Sequence, residues 1–404
     1  MNYILFDDNT RNDLLPLTFV RPVADIRFGI LTIREKWEKL LNAKTSTMTE
    51  KYLNAKYPLI NAENNILING SVCPNKELVK EINALKPDES LVYGDYVIAM
   101  HVVEKNLPDM DTIDAPKTDE AEALIEVESK VPHLKINFPW DIFRLNGEAL
   151  QADFELITAG RKSAKISETN RVAGAENIFI EEGAIVEFAT INAQNGPVYI
   201  GKNAEIMEGV MMRGPVAVCE GAVLKMGAKI YGPTTIGPYC KIGGELNTVV
   251  IFGNSNKSHE GFIGHAVIAE WCNLGADTNN SNLKNTYDEV KLWSYPQEKF
   301  IPTGQQFCGL IMGDHSKCGI NTMFNTGTVV GVSANIFGHG YQRNFVPSFS
   351  WGTSTVGYTT YDIKKAIEVA TLVMARRDKQ LDETEAEILK TVFQYTFTYR
   401  KKRL

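Results

Sequence analysis

From Ile200 an apolar side chain recurs at every sixth position: Ile200, Ile206, Met212, Val218, Leu224, Ile230, Ile236 and Ile242. Four residues after each of the first seven stands a small or slim residue: Ala204, Val210, Val216, Ala222, Ala228, Thr234 and Cys240. An ordinary strand has a period of two and gives no reason for a small residue at one phase in six. A six-residue unit is one short strand and one turn, and three such units close a triangular coil. The aliphatic residue then points at the axis and the small one sits at the crowded corner, with Gly221, Gly227, Pro233 and Pro238 at turns. The pattern returns at Phe262, Ile268 and Leu274, and again from Met312 to Ile336. This is the signature of a hexapeptide parallel β-helix.

Two interruptions break the phase, at 243–261 and at 279–311, and both read as polar inserts. Insertions into surface loops cost little entropy, and loops on a rigid scaffold are where function concentrates. The first 150 residues lack the period. YILF, NNILING and SLVYGDYVIAMHV read as strands, and IREKWEKLL and NKELVKEINAL as helices, which indicates an α/β domain. The expected organisation is an α/β domain at 1–150, a linker at 151–175, the β-helix at 176–345, and a loop with C-terminal helices at 346–404. In the last part PSFSWGTSTVGY reads as loop, two amphipathic helices follow, and RKKRL reads as a solvated tail.

The charge balance removes one class of partner. Lys plus Arg number 42 against 49 for Asp plus Glu, so no basic excess exists to neutralise nucleic acid. Acids stand at the N-terminus where a signal peptide needs a basic region, and no apolar run reaches the length of a membrane span. Six scattered cysteines without CxxC pairs read as reduced thiols, so a cytoplasmic location is expected, with no membrane and no nucleic acid as partner.

The chemistry is expected around the first interruption. Glu245 and His259 are followed by Ile263-Gly264, then by Asn273-Leu274-Gly275-Ala276-Asp277-Thr278, with Asn282 shortly after. This order and spacing resemble the acetyltransferase half of the bifunctional N-acetylglucosamine-1-phosphate uridyltransferase and glucosamine-1-phosphate N-acetyltransferase family. The resemblance implies a left-handed coil. It also implies His259 as the base that takes a proton from a sugar amine attacking acetyl-CoA, a task an imidazole suits near neutral pH. Glu245 would orient the imidazole or hold the amine. Asn273 and Asn282 would bind the amino sugar or the developing oxyanion, and Gly275 and Ala276 would let the thioester approach the backbone. The family's tyrosine three residues after the histidine is Phe262 here, its basic residue two after the glutamate is Asn247, and its downstream lysine has Lys284 and Lys291 as its nearest counterparts. Phe262 and Lys284 are therefore expected at the substrate. A zinc site of the three-histidine kind is the competing reading, but His259 and His265 have no third histidine in the same coils.

The opening Asp7-Asp8-Asn9-Thr10-Arg11, with Leu15-Pro16-Leu17-Thr18 and Arg21-Pro22, resembles a divergent branch of the same family. That implies a Rossmann-like nucleotidyltransferase domain with Thr10, Arg11 and Arg21 at nucleotide phosphates. The glycines of a phosphate loop are missing, and two acids stand in their place. The fold also calls for an acid at a strand end to hold Mg²⁺. Asp95 is the candidate, although the order strand then helix puts Ser71 at that position. The reading is then an enzyme that N-acetylates glucosamine-1-phosphate and joins a nucleotide to a sugar-1-phosphate, forming UDP-N-acetylglucosamine. Its partners would be sugar-1-phosphate, acetyl-CoA and a nucleoside triphosphate, and it would be a homotrimer. Two alternatives stay open: a nucleotidyltransferase with a structural β-helix, and a sugar-phosphate-binding protein without catalysis.

Overall fold

The computed structural model describes residues 1–103 and 124–401; Lys402 to Leu404 of the expected tail lie outside them. The chain forms two compact units. One gathers Met1–Leu14, Val20–Ile26 and Leu31–Phe138, and the other Leu15–Phe19, Arg27–Ile30 and Pro139–Leu404.

The first unit is a Rossmann-like layered domain. Strands β1 (Asn2–Phe6), β2 (Thr45–Met48), β3 (Asn64–Asn69), β4 (Glu89–Tyr93), β5 (Tyr96–Val103) and β6 (Ile125–Glu128) form one sheet in the order β2-β1-β3-β5-β4-β6. Strand β1 is parallel to β2 and β3, and its apolar run is buried as a central parallel strand requires. SLVYGDYVIAMHV is a hairpin rather than one strand: β4 and β5 pair antiparallel around Gly94-Asp95. Helix α1 (Thr10–Asp13) follows β1. Helix α2 (Ile33–Leu41) starts at a reciprocal capping box between Thr32 and Glu35, and α3 (Lys76–Ala84) is capped by Asn75.

In the second unit, helices α4 (Pro139–Arg144) and α5 (Asn146–Thr158) precede a left-handed parallel β-helix of about ten coils. The periodic residues do what the period requires. Ile206, Leu224 and Ile242 stack in one interior column, and Met212, Ile230 and Leu246 in another, each at most 3% exposed. Each buried aliphatic contributes roughly 1.5–3 kcal/mol of transfer free energy. The slim residues are fully buried at corners. Where a corner is threonine, its hydroxyl donates to the carbonyl three residues back, as in Thr234 to Tyr231 (2.7 Å), Thr278 to Gly275 (2.7 Å) and Thr322 to Gly319 (2.8 Å). A hydroxyl buried in a dry corner is thereby satisfied.

The first interruption is not an insert. Glu245–Ile251 and Asn256–Lys257 continue the coil in register, with Lys229 against Glu245, Ile236 against Ile251 and Ile242 against Lys257. The step from Ile242 to Lys257 is 15 residues, where that from Leu224 to Ile242 is 18. The phase breaks because this coil is three residues short. Two are lost at the corner Gly243-Gly244 and one at the corner of Thr248, so Glu245–Ile251 runs through two faces as one bent strand. The second interruption is a true insert. The chain leaves the coil after Asn279–Asn280, forms a hairpin from Lys291–Ser294 and Lys299–Pro302, and returns at Leu310–Met312.

PSFSWGTSTVGY is also ordered. Ser350–Thr353 extends the coil and pairs antiparallel with Gly357–Thr360. Helices α6 (Ile363–Ala375), α7 (Glu383–Tyr395) and α8 (Phe397–Lys401) close the chain. The start of the expected solvated tail is held: Arg400 donates to the carbonyls of Phe393 (2.6 Å) and Ser348 (3.2 Å), with its guanidinium over the Phe393 ring.

Candidate active site

His259 sits on the turn 258–261, between the strand Asn256–Lys257 and the strand Phe262–Ile268, with its side chain exposed. The backbone of this turn is held from several sides. The Glu245 N–H donates to the Gly261 carbonyl (3.1 Å) and the Asp277 N–H to the Glu260 carbonyl (2.9 Å). Glu245 pairs with Phe262 in the sheet ladder, so both stand one rung apart beside the His259 turn. An exposed imidazole on a fixed backbone, with a half-buried carboxylate on the strand beneath, can exchange a proton with a bound molecule.

A second group gathers at Gly264. The Phe262 ring and the Asn282 amide crowd the place where a side chain at Gly264 would stand, at 2.5 and 2.6 Å from that point. Asn282 reaches the insert side of His265, Nδ2 to Nδ1 at 2.9 Å. The amide donates, so Nδ1 accepts and the proton of the neutral ring rests on Nε2. His265 lies between Phe307, stacked at 5.0 Å, and Phe143, edge-on at 5.8 Å. Burial among these rings pushes its pKa down to about 4. Asn280 holds the same strand by its side chain, accepting from the Gly264 N–H and donating to its carbonyl, both at 2.9 Å.

The other expected residues are placed as follows. Asn273 lies on a neighbouring face, across the ladder from Asn256, whose amide reaches it at 3.4 Å. Lys284 folds back on its own loop and donates to the Glu289 carbonyl (2.6 Å). Gly275 is explained by stacking: a Cβ there would lie 2.5 Å from the carbonyl carbon of Gly319 in the next coil. Ala276 is half-buried beside it and accepts from the Asn321 N–H (2.8 Å). Among the described residues no three His, Cys, Asp or Glu converge as metal ligands. Sequence reasoning weighed His265 only as a metal ligand and missed two things, its pairing with Asn282 and the buried Lys257. The phase break hid the second, which occupies the inward position of the short coil.

In the first unit the acids after β1 are used internally. Asp7 is buried and accepts from the Val23 N–H (2.8 Å) and the Thr49 hydroxyl (2.6 Å), with Arg11 Nε 3.3 Å away. Burial outweighs these partners and raises its pKa to about 6. Asp8 accepts from the Thr10 N–H (3.0 Å), at the start of α1, and from Asn69 (2.8 Å). Arg11 is buried and bonds the Tyr52 hydroxyl (2.9 Å), and Arg21 is buried as well. Lys135 donates to the Thr10 hydroxyl (3.0 Å) and Asn137 (2.6 Å) and lies 3.8 Å from Asp8. Tyr93, Tyr96 and His133 cluster nearby, with Tyr96 Oη 2.5 Å from His133 Nε2 and Lys135 over the Tyr96 ring. Asp95 stands exposed on the β4–β5 turn. Asp7 and Asp8 each accept hydrogen bonds at both oxygens within the unit.

Comparison with known proteins adds likenesses to these observations. Residues 3–162 match the family model described as sugar nucleotidyl transferase. The chain is a divergent relative of bifunctional nucleotidyltransferase and acetyltransferase proteins. It is 30% identical over 152 residues to a bifunctional sugar-1-phosphate nucleotidylyltransferase/acetyltransferase of Sulfurisphaera tokodaii, covering 33% of this chain and 37% of that protein. It is 28% identical to the bifunctional protein GlmU of Methanocaldococcus jannaschii, covering 53% and 47%, and 26% identical to that of Methanococcus maripaludis, covering 57% and 51%. The chain thus spans about half the length, or less, of the curated relatives it matches. Among solved structures, the polySia-specific acetyltransferase NeuO aligns at 15% identity over 48% of this chain and 82% of that one, with a TM-score of 0.24. Arabidopsis UDP-N-acetylglucosamine acyltransferase aligns at 16% over 58% and 91%, with a TM-score of 0.23. These last two likenesses are too loose to bear on fold or function.

Proposed function

We propose that the β-helix transfers an acetyl group from acetyl-CoA to the amine of an amino sugar phosphate, glucosamine-1-phosphate being the first substrate to test. The observation that carries this reading is the exposed His259 imidazole on a backbone held at Gly261 and Glu260, on the turn that leads into Phe262, the ladder partner of Glu245. The amine nitrogen attacks the thioester carbonyl and forms the C–N bond. His259 takes the proton the amine gives up. The C–S bond breaks, and the CoA sulfur leaves with the proton returned by the imidazolium. Phe262 and the Asn282 carboxamide, its amide turned to His265, border the acceptor sugar.

For the first unit the proposal is binding of a sugar-1-phosphate and a nucleoside triphosphate, with nucleotidyl transfer as the activity to assay; the family match at 3–162 supports it. One observation favours a second reading, a binding module without transfer. The Asp8 carboxylate occupies the Thr10 N–H at the start of α1, where a phosphate would be received, and Arg11 is spent on Asp7. Two assays separate these readings. CoA release on mixing acetyl-CoA with glucosamine-1-phosphate tests the β-helix. Pyrophosphate release from UTP or dTTP with N-acetylglucosamine-1-phosphate tests the first unit, and silence with both nucleotides leaves binding alone.

A further inference from the structure

Lys257 stands at a position that the coil reserves for an apolar side chain. It continues the interior column Ile206, Leu224, Ile242, and it is 1% exposed. A buried ammonium is expensive unless its donors are satisfied. Among the described residues its hydrogen-bond partners are three main-chain carbonyls: Gly243 (3.2 Å), His259 (2.7 Å) and Glu260 (3.0 Å). An ammonium has three donors, and here three acceptors meet them.

The short coil explains how the ammonium comes to meet these carbonyls, of which that of Glu260 also accepts from the Asp277 N–H. The corner Gly243-Gly244 has two residues fewer than the turn 258–261 above it. Ladder bonds join the two at the edges, Gly243 N–H to the Lys257 carbonyl (2.7 Å) and Glu245 N–H to the Gly261 carbonyl (3.1 Å). The His259 and Glu260 carbonyls between them have no counterpart in the shorter corner. Gly244 leaves the room that the ammonium fills. Its φ is +74°, and a Cβ there would lie 2.8 Å from Lys257 Nζ and 2.9 Å from the His259 carbonyl oxygen.

We infer that Lys257 is a positioning residue, whose ammonium fixes the backbone on both sides of the His259 carbonyl and so aims the exposed imidazole. The inference rests on the acetyl-transfer reading for its catalytic consequence, while its structural content stands apart. Burial lowers the Lys257 pKa to about 8 and outweighs the opposing pull of the Glu260 and Asp277 carboxylates nearby, while its hydrogen bonds go to main-chain carbonyls.

The test uses the full chain with Lys257→Met, which keeps an unbranched side chain one atom shorter and removes all three donors. Ile206→Ala, in the same column but remote from the turn, is the control for lost packing. Two quantities are read: steady-state acetyl transfer from acetyl-CoA to glucosamine-1-phosphate, and backbone hydrogen exchange of Glu245 and Asp277, whose amides bond to the turn. In Lys257→Met, kcat is expected to fall about a hundredfold with each KM within about threefold, as for a misaimed catalytic group. Exchange at the two amides is expected to accelerate, and Ile206→Ala changes neither. Unaltered exchange in Lys257→Met overturns the inference whatever kcat does, and so does accelerated exchange with unchanged kcat. If the wild-type chain transfers no acetyl group, the acetyl-transfer reading fails by itself, and exchange alone decides whether Lys257 holds the turn. Should Lys257→Met not accumulate as folded protein, Gly244→Ala, which crowds the same ammonium, is measured in the same way.

Discussion

The Lys257 ammonium donates to the main-chain carbonyl of His259 at 2.7 Å, from an inward position that an isoleucine fills one coil below. Its pKa, lowered by burial to about 8, makes the contact sensitive to pH. Glu260, Asp277, Cys318 and Lys229 are the charged or titratable groups around it. Because the folded pKa lies below the ordinary lysine value of 10.5, the unfolded chain holds the extra proton between about pH 8 and 10.5. Stability therefore rises with pH across that window. Loss of the same proton removes one donor from the turn, so acetyl transfer should fall as pH passes 8. Activity and unfolding midpoint moving in opposite directions, both trends absent in Lys257→Met, is the expected signature in parallel pH series.

Gly244→Ala introduces a Cβ 2.8 Å from the Lys257 nitrogen at a φ of +74°. The backbone strain alone costs on the order of 1–3 kcal/mol. Chemical denaturation should report that loss, and Gly227→Ala, where φ is +71° and no atom lies within 4 Å of the added Cβ, separates strain from crowding.

The interior columns set the stability of the β-helix. Leu224 is fully buried between Ile206 and Ile242. Leu224→Ala should cost roughly 2–5 kcal/mol, the range for a large core side chain cut to alanine. The check is the shift in denaturation midpoint relative to wild type.

His265 is held neutral, with Asn282 donating to Nδ1 and two aromatic rings around it. Its folded pKa of about 4 lies below the ordinary 6.5. It therefore contributes stability that is lost as pH falls from about 6.5 towards 4. Histidine-ring NMR should show one imidazole titrating near 4, and His265→Ala should remove that resonance.

In the first unit, Asp7→Ala leaves the Arg11 guanidinium buried without the carboxylate 3.3 Å from its Nε. Removing one partner of a buried pair typically costs about 3–5 kcal/mol. Asp7→Asn keeps an acceptor for the Val23 N–H and should cost less. Limited proteolysis of the first unit compares the two variants.

Much of this was legible in the chain. The six-residue period named each interior residue from Ile200 to Ile242, because three-sided coils repeat the same environment. The short coil was not legible. Losing three residues shifts the phase just as an insertion does, and only the ladder partners of Glu245 and Lys257 distinguish the two. Strand β2 escaped notice because TSTM is short and mostly polar, and only its place beside β1 makes it a strand. The spacing of Glu245, His259 and Phe262 corresponds to a ladder pair, Glu245 with Phe262, and a turn three residues earlier that carries His259. It gave no sign that Asn282 answers to His265, since that pairing depends on where the insert leaves the coil. Nor did it reveal that Lys135, far along the chain, closes on Thr10 and Asp8.

The central claim is that His259 is the base of an acetyl transfer. It is tested most directly by the rate of CoA release from acetyl-CoA with glucosamine-1-phosphate, in wild type and in His259→Ala. Measurable transfer in wild type, reduced about 10²–10⁴-fold by the substitution as loss of a general base implies, is the expected result. Transfer that survives His259→Ala unchanged, or none in the wild-type chain, contradicts it.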